Sequence, residues 1–311
     1  MAVRDIISLL VLAGIWGGSF IFMRVAAPEF GIYVLVAIRT LLATAVLLPL
    51  LLIRGSVREI KHHWLAIALV GMANTAVPFV LFNYSSLHLE AGVNAILNAT
   101  APMFGAIAAW LWLGDKLNKS AIAGLFVGFI GVTVISQQKL GEGEVSFLPI
   151  LTALLATTGY GIAACMMKKW LQGVKPLVVA TGSQAMASVM LAPFALATLP
   201  EAMPSANAWM NAVALAVGGT GIAYILYFKL IADIGPAKAI TVAYLVPLFG
   251  IIWGVLFLQE HLRRIQWIAL LLAFTGVLYL TANYGQFPWI ALTLAVSFGL
   301  YGFIRKTAAL G

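Results

Sequence analysis

Charge is what this sequence has least of. Only 9% of its 311 residues are Asp, Glu, Lys or Arg, where a soluble chain carries about a quarter. Cysteine occurs once, at Cys165 in an apolar run, which excludes a disulfide framework and a cysteine metal site within the chain. The acids Asp5, Glu29, Glu59, Glu90, Asp115, Glu142, Glu144, Glu201, Asp233 and Glu260 all lie in polar connections or near the ends of apolar runs, as do His62, His63, His88 and His261. A metal site or proton relay inside a membrane needs such groups at depth, so no metal and no cofactor is expected. GxSxG, HExxH and paired intramembrane aspartates are absent too, so catalysis is not expected.

What is abundant is apolar surface, at 63% of residues. Apolar runs span 5–25, 32–53, 64–86, 91–113, 120–137, 147–167, 176–199, 206–230, 239–258, 265–283 and 287–304, eleven in all. A bilayer crossing takes about 20 apolar residues, and alternating strands of about ten residues would be needed for a barrel. The fold class expected is therefore all-α, polytopic and membrane-embedded, with membrane lipids as its surroundings. The loops that remain are too short for a soluble enzyme domain or a nucleic-acid module, so the net charge of +8 reads as topology rather than as a DNA-binding patch. Residues 5–25 are read as the first span and not as a signal peptide, because Asp5 is acidic and the run continues to Met23 without a cleavage motif.

Self-comparison shows a repeat. At an offset of 145 residues, APMFGAIAAWLWLGDKL (101–117) lies on VPLFGIIWGVLFLQEHL (246–262), pairing Pro102 with Pro247, Gly105 with Gly250 and Asp115 with Glu260. The same offset sets Phe79 on Tyr224, and an offset of 144 sets Trp16-Gly17 on Tyr160-Gly161. Shared apolar composition is the bland alternative, but it does not hold one offset through consecutive helices. One unit is five helices, and an odd number makes the second copy enter the membrane from the other side, as in the inverted repeats of secondary transporters.

The stretch AGVNAILNATAPMFGAIAAWLWLGDKLNKSAIAGLFVGFIGVTVIS resembles the end of an EamA-type repeat of the drug/metabolite transporter superfamily, and AGIWGGSFIFMRVA resembles its opening helix. Within that superfamily the chain is most similar to YddG-type amino-acid exporters. The resemblance implies ten transmembrane helices, cytoplasmic termini, a bacterial inner-membrane location and a central cavity shared by the repeats. It divides the chain into a first repeat at 1–139, an inverted second repeat at 140–284 and an additional C-terminal helix at 285–311. The substrate class it implies is amino acids, aromatic ones included, and related small metabolites. Nucleotide-sugar or drug carriage remains the alternative within the superfamily. An intramembrane lipid-modifying enzyme is disfavoured by the missing acid and histidine clusters.

With the N-terminus inside, Arg4, Arg54, Arg58, Lys61, Lys116, Lys119, Lys168, Lys169, Lys175, Lys229 and Lys238 fall on the cytoplasmic side and only Arg24 and Lys139 outside. Arg263, Arg264, Arg305 and Lys306 break that pattern. The segment from Glu260 to Lys306 also resembles the middle of RarD-type members. Both features suggest a chimera or engineered joint near 259–262, with transport lost as one outcome, or else a natural eleven-helix variant.

Arg39 is the one charge well inside a span. It either attracts a substrate carboxylate, whose geometry suits a guanidinium, or snorkels or braces helix ends. Asn83 in span 3 and Asn94 and Asn98 in span 4 could hold a zwitterion's polar groups, or could simply bridge helices. Trp16 with Tyr160, and Phe79 with Tyr224, are pseudo-symmetric aromatic pairs able to line a cavity or to face lipid. Gly14, Gly17 and Gly18 read as close helix contacts.

Overall fold

The structure, a computed structural model, describes residues 3–54, 57–116, 122, 130, 147–234 and 242–260. Among the described residues all regular structure is helical, with no strand. The helices are α1 (Val3–Phe30), α2 (Ile32–Ile53), a short α3 (Val57–His62), α4 (Trp64–His88) and α5 (Ala91–Leu113). They continue with α6 (Leu148–Trp170), α7 (Pro176–Ala197), α8 (segments Ala206–Val213, Ala214–Ile222 and Ala223–Ile234) and α9 (Val242–Leu258). Seven of these are long and apolar enough to cross a membrane, and α9 contributes a shorter apolar helix. Helices suit the sequence because each peptide group bonds within its own segment and none is left facing hydrocarbon. The runs at 120–137, 265–283 and 287–304, and with them the expected tenth and eleventh helices, lie outside the described residues.

The helix ends show that the two halves run in opposite directions. At one end Arg4 at the start of α1 pairs with Asp233 at the end of α8 (3.4 Å), and Lys175 before α7 pairs with Glu59 after α2 (3.0 Å). Lys168 in the last turn of α6 meets Asp115 after α5 (2.8 Å). At the other end the Glu29 carboxylate accepts bonds from Ser205 N (2.6 Å) and Ser205 Oγ (2.8 Å), while Glu260 accepts from Ala91 N (2.7 Å) and Gly92 N (3.1 Å). So α1 starts where α6 ends, and α2 ends where α7 starts. Helices α2 and α7 correspond at an offset of 144 at both termini and carry internal prolines at the matching positions Pro49 and Pro193.

The repeats interlock rather than sit side by side. Helix α1 packs on α9, and its counterpart α6 packs on α5. Each contact has a glycine at its closest point: a Cβ on Gly17 would stand 2.7 Å from Gly250 N, and one on Gly161 would stand 2.6 Å from Gly105 N. Backbone approach that close leaves room for glycine only. The helices α5 and α9 also end alike. A left-handed residue follows each, Gly114 (φ 73°) and Gln259 (φ 54°). The next N–H then reaches back six residues, Asp115 to Ala109 O (3.2 Å) and Glu260 to Gly254 O (3.2 Å). Between these crossings α2 and α7 face each other, with α8 against α2 and α4 against α7.

Candidate functional site

Helices α4 and α8 each loosen into a π segment midway, at Met72–Ala76 and Ala214–Ile222. At an offset of 145 residues Thr75 corresponds to Thr220, so the widened turns are repeat-equivalent. Such turns shift side chains off the regular face and recur at functional sites. Thr220 uses its widened turn: its hydroxyl donates to Leu215 O (3.1 Å) and accepts from Arg39 Nε (2.9 Å).

Arg39 is thereby held in the interior, at 7% exposure. The side chain reaches across from α2 to Thr220 of α8. Its guanidinium carbon lies 3.6 Å from the centroid of the Phe79 ring, and one terminal nitrogen points at Met23 Sδ (3.8 Å). The hydroxyls of Tyr160 and Tyr224 are within electrostatic reach. Among the described residues no carboxylate pairs with Arg39, so the cation is satisfied by an aromatic face, a hydroxyl and a thioether. Cation–π contact of this kind contributes about 2 kcal/mol when desolvated and the bond to Thr220 about 1.5–3 kcal/mol more, against the several kcal/mol that burying an ion costs. A bound anion would add to this balance.

Of the residues expected to serve the site, Arg39, Phe79, Tyr160 and Tyr224 come together. Tyr160 stacks on Phe82 (6.1 Å, 23°). Trp16 joins the same apolar cluster as Tyr160 and tilts against Tyr227 (5.3 Å). Asn83 is buried and donates to Ile32 O (3.3 Å), while its Oδ1 has no partner. Asn94 is committed elsewhere: it accepts from Ser85 Oγ (2.6 Å) and donates to Ser86 Oγ (3.2 Å), tying α5 to α4. That is the helix-bridging alternative. Asn98 is half-buried where α5 breaks, ahead of Thr100, which bonds Thr157 of α6 (3.0 Å).

Sequence reasoning missed four contributors: Met23, Thr75, Gln184 and Thr220. Gln184 is fully buried in α7, and neither of its amide atoms has a hydrogen-bond partner. The Thr75 hydroxyl is likewise buried and unpartnered. Leaving such a group unmet costs about 1–3 kcal/mol. The Tyr224 hydroxyl lies beside both Gln184 and Asn74. The available signal was a primary amide in the middle of an apolar run, which a survey of charged groups passes over. Among the described residues no three His, Cys, Asp or Glu side chains gather as a metal site.

Comparison with known proteins agrees with this architecture. A solved structure described as the crystal structure of a protein matches with a TM-score of 0.64 at 16% identity, covering 92% of this chain and 100% of that one. This likeness concerns the fold. Uncharacterized inner membrane transporter YedA of Escherichia coli is 26% identical over 268 residues, covering 85% of this chain and 86% of that protein. Uncharacterized transporter YvbV of Bacillus subtilis is 24% identical over 261 residues, covering 83% and 85%. A probable terminal-alkyne amino-acid exporter of Streptantibioticus cattleyicolor is 25% identical over 256 residues, covering 79% and 82%. The profile of the EamA-like transporter family matches twice, at residues 4–137 and 147–282, and the second match runs across the suspected joint near 259–262. With interlocked inverted halves and both halves matched, the chain belongs to the EamA-like transporter family.

Proposed function

We propose that this protein is a secondary transporter that exports amino acids, aromatic ones included, and related small metabolites across a bacterial inner membrane by alternating access, with its N-terminus in the cytoplasm. The observation that carries the substrate class is Arg39: a buried guanidinium between the repeats, stacked on Phe79 and without a carboxylate partner among the described residues. A substrate carboxylate completes its coordination, and Phe79, Tyr160 and Trp16 offer apolar surface to a side chain. The exporter name of the Streptantibioticus relative points the same way. The phosphates of a nucleotide sugar would need several cations at one place, and among the described residues the central helices contribute one. The eight residues Trp16, Arg39, Phe79, Asn83, Asn94, Asn98, Tyr160 and Tyr224 remain the candidate set, with Asn94 the weakest because both ends of its amide are in use.

The test is counterflow of labelled phenylalanine and leucine in proteoliposomes against empty liposomes. Arg39→Gln keeps hydrogen-bonding capacity and removes the charge; a lost charge-assisted bond of about 1.5–3 kcal/mol corresponds to roughly 10- to 100-fold weaker apparent affinity. Flux that is equal with Gln at position 39, in protein that folds and inserts normally, refutes the role of Arg39. No flux of any amino acid with the unchanged protein refutes the substrate class.

A further inference from the structure

We infer that Gln184 and Thr75 form an ammonium-binding half-site opposite Arg39, so that the protein selects free α-amino acids by both ends of the zwitterion. The inference rests on the amino-acid reading above and adds to it the residues that recognise the amine.

Among the described residues, four buried side-chain polar atoms lack a partner: Thr75 Oγ1, Asn83 Oδ1, Gln184 Nε2 and Gln184 Oε1. Three of the four are oxygens able to accept from a cation's N–H groups. All four are buried, and in a bilayer interior an unmet polar group is a standing cost. Leucine at 184 would avoid that cost at nearly the same volume. A ligand that arrives and leaves accounts for a group held ready without a resident partner.

The repeat locates the ligand's charge. Thr220 in one π segment is met by the guanidinium of Arg39. Thr75 sits at the equivalent place in the other, and at an offset of 144 the residue equivalent to Arg39 is Ser183. The Ser183 hydroxyl is turned back to its own helix, donating to Ala180 O (3.0 Å). Ser183 nonetheless lies close, since a Cβ on Gly71 would stand 2.9 Å from its carbonyl oxygen. One threonine therefore has its cation from the protein, and the other has none. Gln184 is the next residue along α7, which packs on the Met72–Ala76 segment.

The two halves also connect. The Tyr224 hydroxyl approaches Gln184 and Asn74, too loosely to satisfy the Gln184 amide, and lies within electrostatic reach of Arg39. An α-amino acid presents a carboxylate and a primary ammonium separated by one carbon. The first suits the guanidinium. The second, with three N–H donors, suits neutral oxygens from an amide and a hydroxyl. Neutral acceptors hold a primary ammonium without leaving a buried carboxylate uncompensated when the site is empty.

The experiment is thermal unfolding of detergent-purified protein titrated with phenylalanine, with 3-phenylpropionate, which lacks the amine, and with no addition. Phenylalanine is expected to stabilise at least tenfold lower concentration than 3-phenylpropionate. Gln184→Leu and Thr75→Val are each expected to melt no lower than the unchanged protein without ligand, because each removes an unmet polar group, while phenylalanine loses its tenfold advantage. A structural role predicts the reverse, lower melting with ligand preference intact, and either half of that result overturns the proposal. If both ligands stabilise the unchanged protein equally, the ammonium site falls and a carboxylate carrier remains. If neither ligand stabilises it, the amino-acid reading falls and takes this inference with it.

Discussion

Two glycines face each other where α6 crosses α5, and the structure assigns them opposite responses to the same substitution. A Cβ at position 161 would lie 2.6 Å from Gly105 N and 2.7 Å from the Phe104 carbonyl carbon, about 0.8 Å inside ordinary van der Waals separation. Both neighbours are backbone atoms and cannot rotate away, so the helices must part. Insertion of a methyl into a filled contact costs about 1–3 kcal/mol, against the ~0.8–1.0 kcal/mol by which Ala exceeds Gly in a helix interior. Gly161→Ala is expected to lose about 1 kcal/mol net, within about 0–2 kcal/mol, some degrees of melting temperature. A Cβ at position 105 meets only the Gly161 Cα at 3.8 Å, an ordinary contact. Gly105→Ala should therefore keep the helix gain and melt at or above the unchanged protein. The repeat adds a third arm: Gly17→Ala, whose Cβ would stand 2.7 Å from Gly250 N, should follow Gly161→Ala. Scanning calorimetry or dye-monitored melting at one fixed scan rate reads all three. Equal losses at 105 and 161 would refute the crossing geometry, and an indifferent Gly17→Ala would refute its equivalence to Gly161.

Glu260 gives a pH dependence: burial, opposed by the bonds from Gly92 and Ala91, pushes its carboxyl above the ordinary 4.5. The folded state then binds this proton more tightly than the unfolded one, so this group's contribution to stability falls as pH rises from about 4.5 through the raised value and levels off above it. Glu260→Gln should remove that slope in melting temperature measured across the window; an unchanged slope assigns it to another group. Sidedness is read by impermeant thiol labelling of intact cells in a Cys165→Ser background, where Glu201→Cys in the connection before α8 should label from outside and Arg58→Cys in α3 should not. The opposite pattern overturns the cytoplasmic N-terminus. Finally, since the sequence sets no acid or histidine well inside a span, net substrate flux in proteoliposomes should persist without an imposed pH gradient, and strict dependence on one would overturn this expectation.

The sequence made the repeat legible because glycine and proline punctuate it. Gly17 with Gly161, Gly105 with Gly250 and Asp115 with Glu260 were paired by offset alone; the structure sets the first pair at matching crossings and the last at matching helix ends, while a Cβ on Gly250 would collide with Ala95 and one on Gly105 would meet only Gly161. The widened turns of α4 and α8 were not legible, because a π segment inside a uniformly apolar helix leaves no break in the hydropathy pattern. Arg39 was found as a charge, yet its direction was not, since reaching Thr220 of the other repeat depends on how α2 and α8 pack. Asn94 looked like a cavity amide because Ser85 and Ser86 belong to the preceding helix, and only the turn at Leu89–Glu90 brings them within bonding distance. Gln184 carries no charge, so a search for ionisable groups at depth could not reach it.

The scaffold of this protein is nearly symmetric and its chemistry is not. Corresponding backbone crossings join α1 to α9 and α6 to α5. At the equivalent acids the surroundings diverge: Glu260 turns inward to cap the first turn of α5, whereas Asp115, with its side chain 48% exposed, pairs with Lys168 at the opposite end. Two copies of one unit thus stand in different local states within a single structure. In the transport cycle proposed above, exchanging the states of the two halves would exchange which end is open. The same divergence recurs at depth, where the offset that pairs α2 with α7 sets Ser183 against Arg39. A pair of identical halves would present two like charges to a ligand. One half with a cation and the other with unmet neutral oxygens presents two unlike ends, and a solute that is itself unlike at its two ends has one favoured orientation between them.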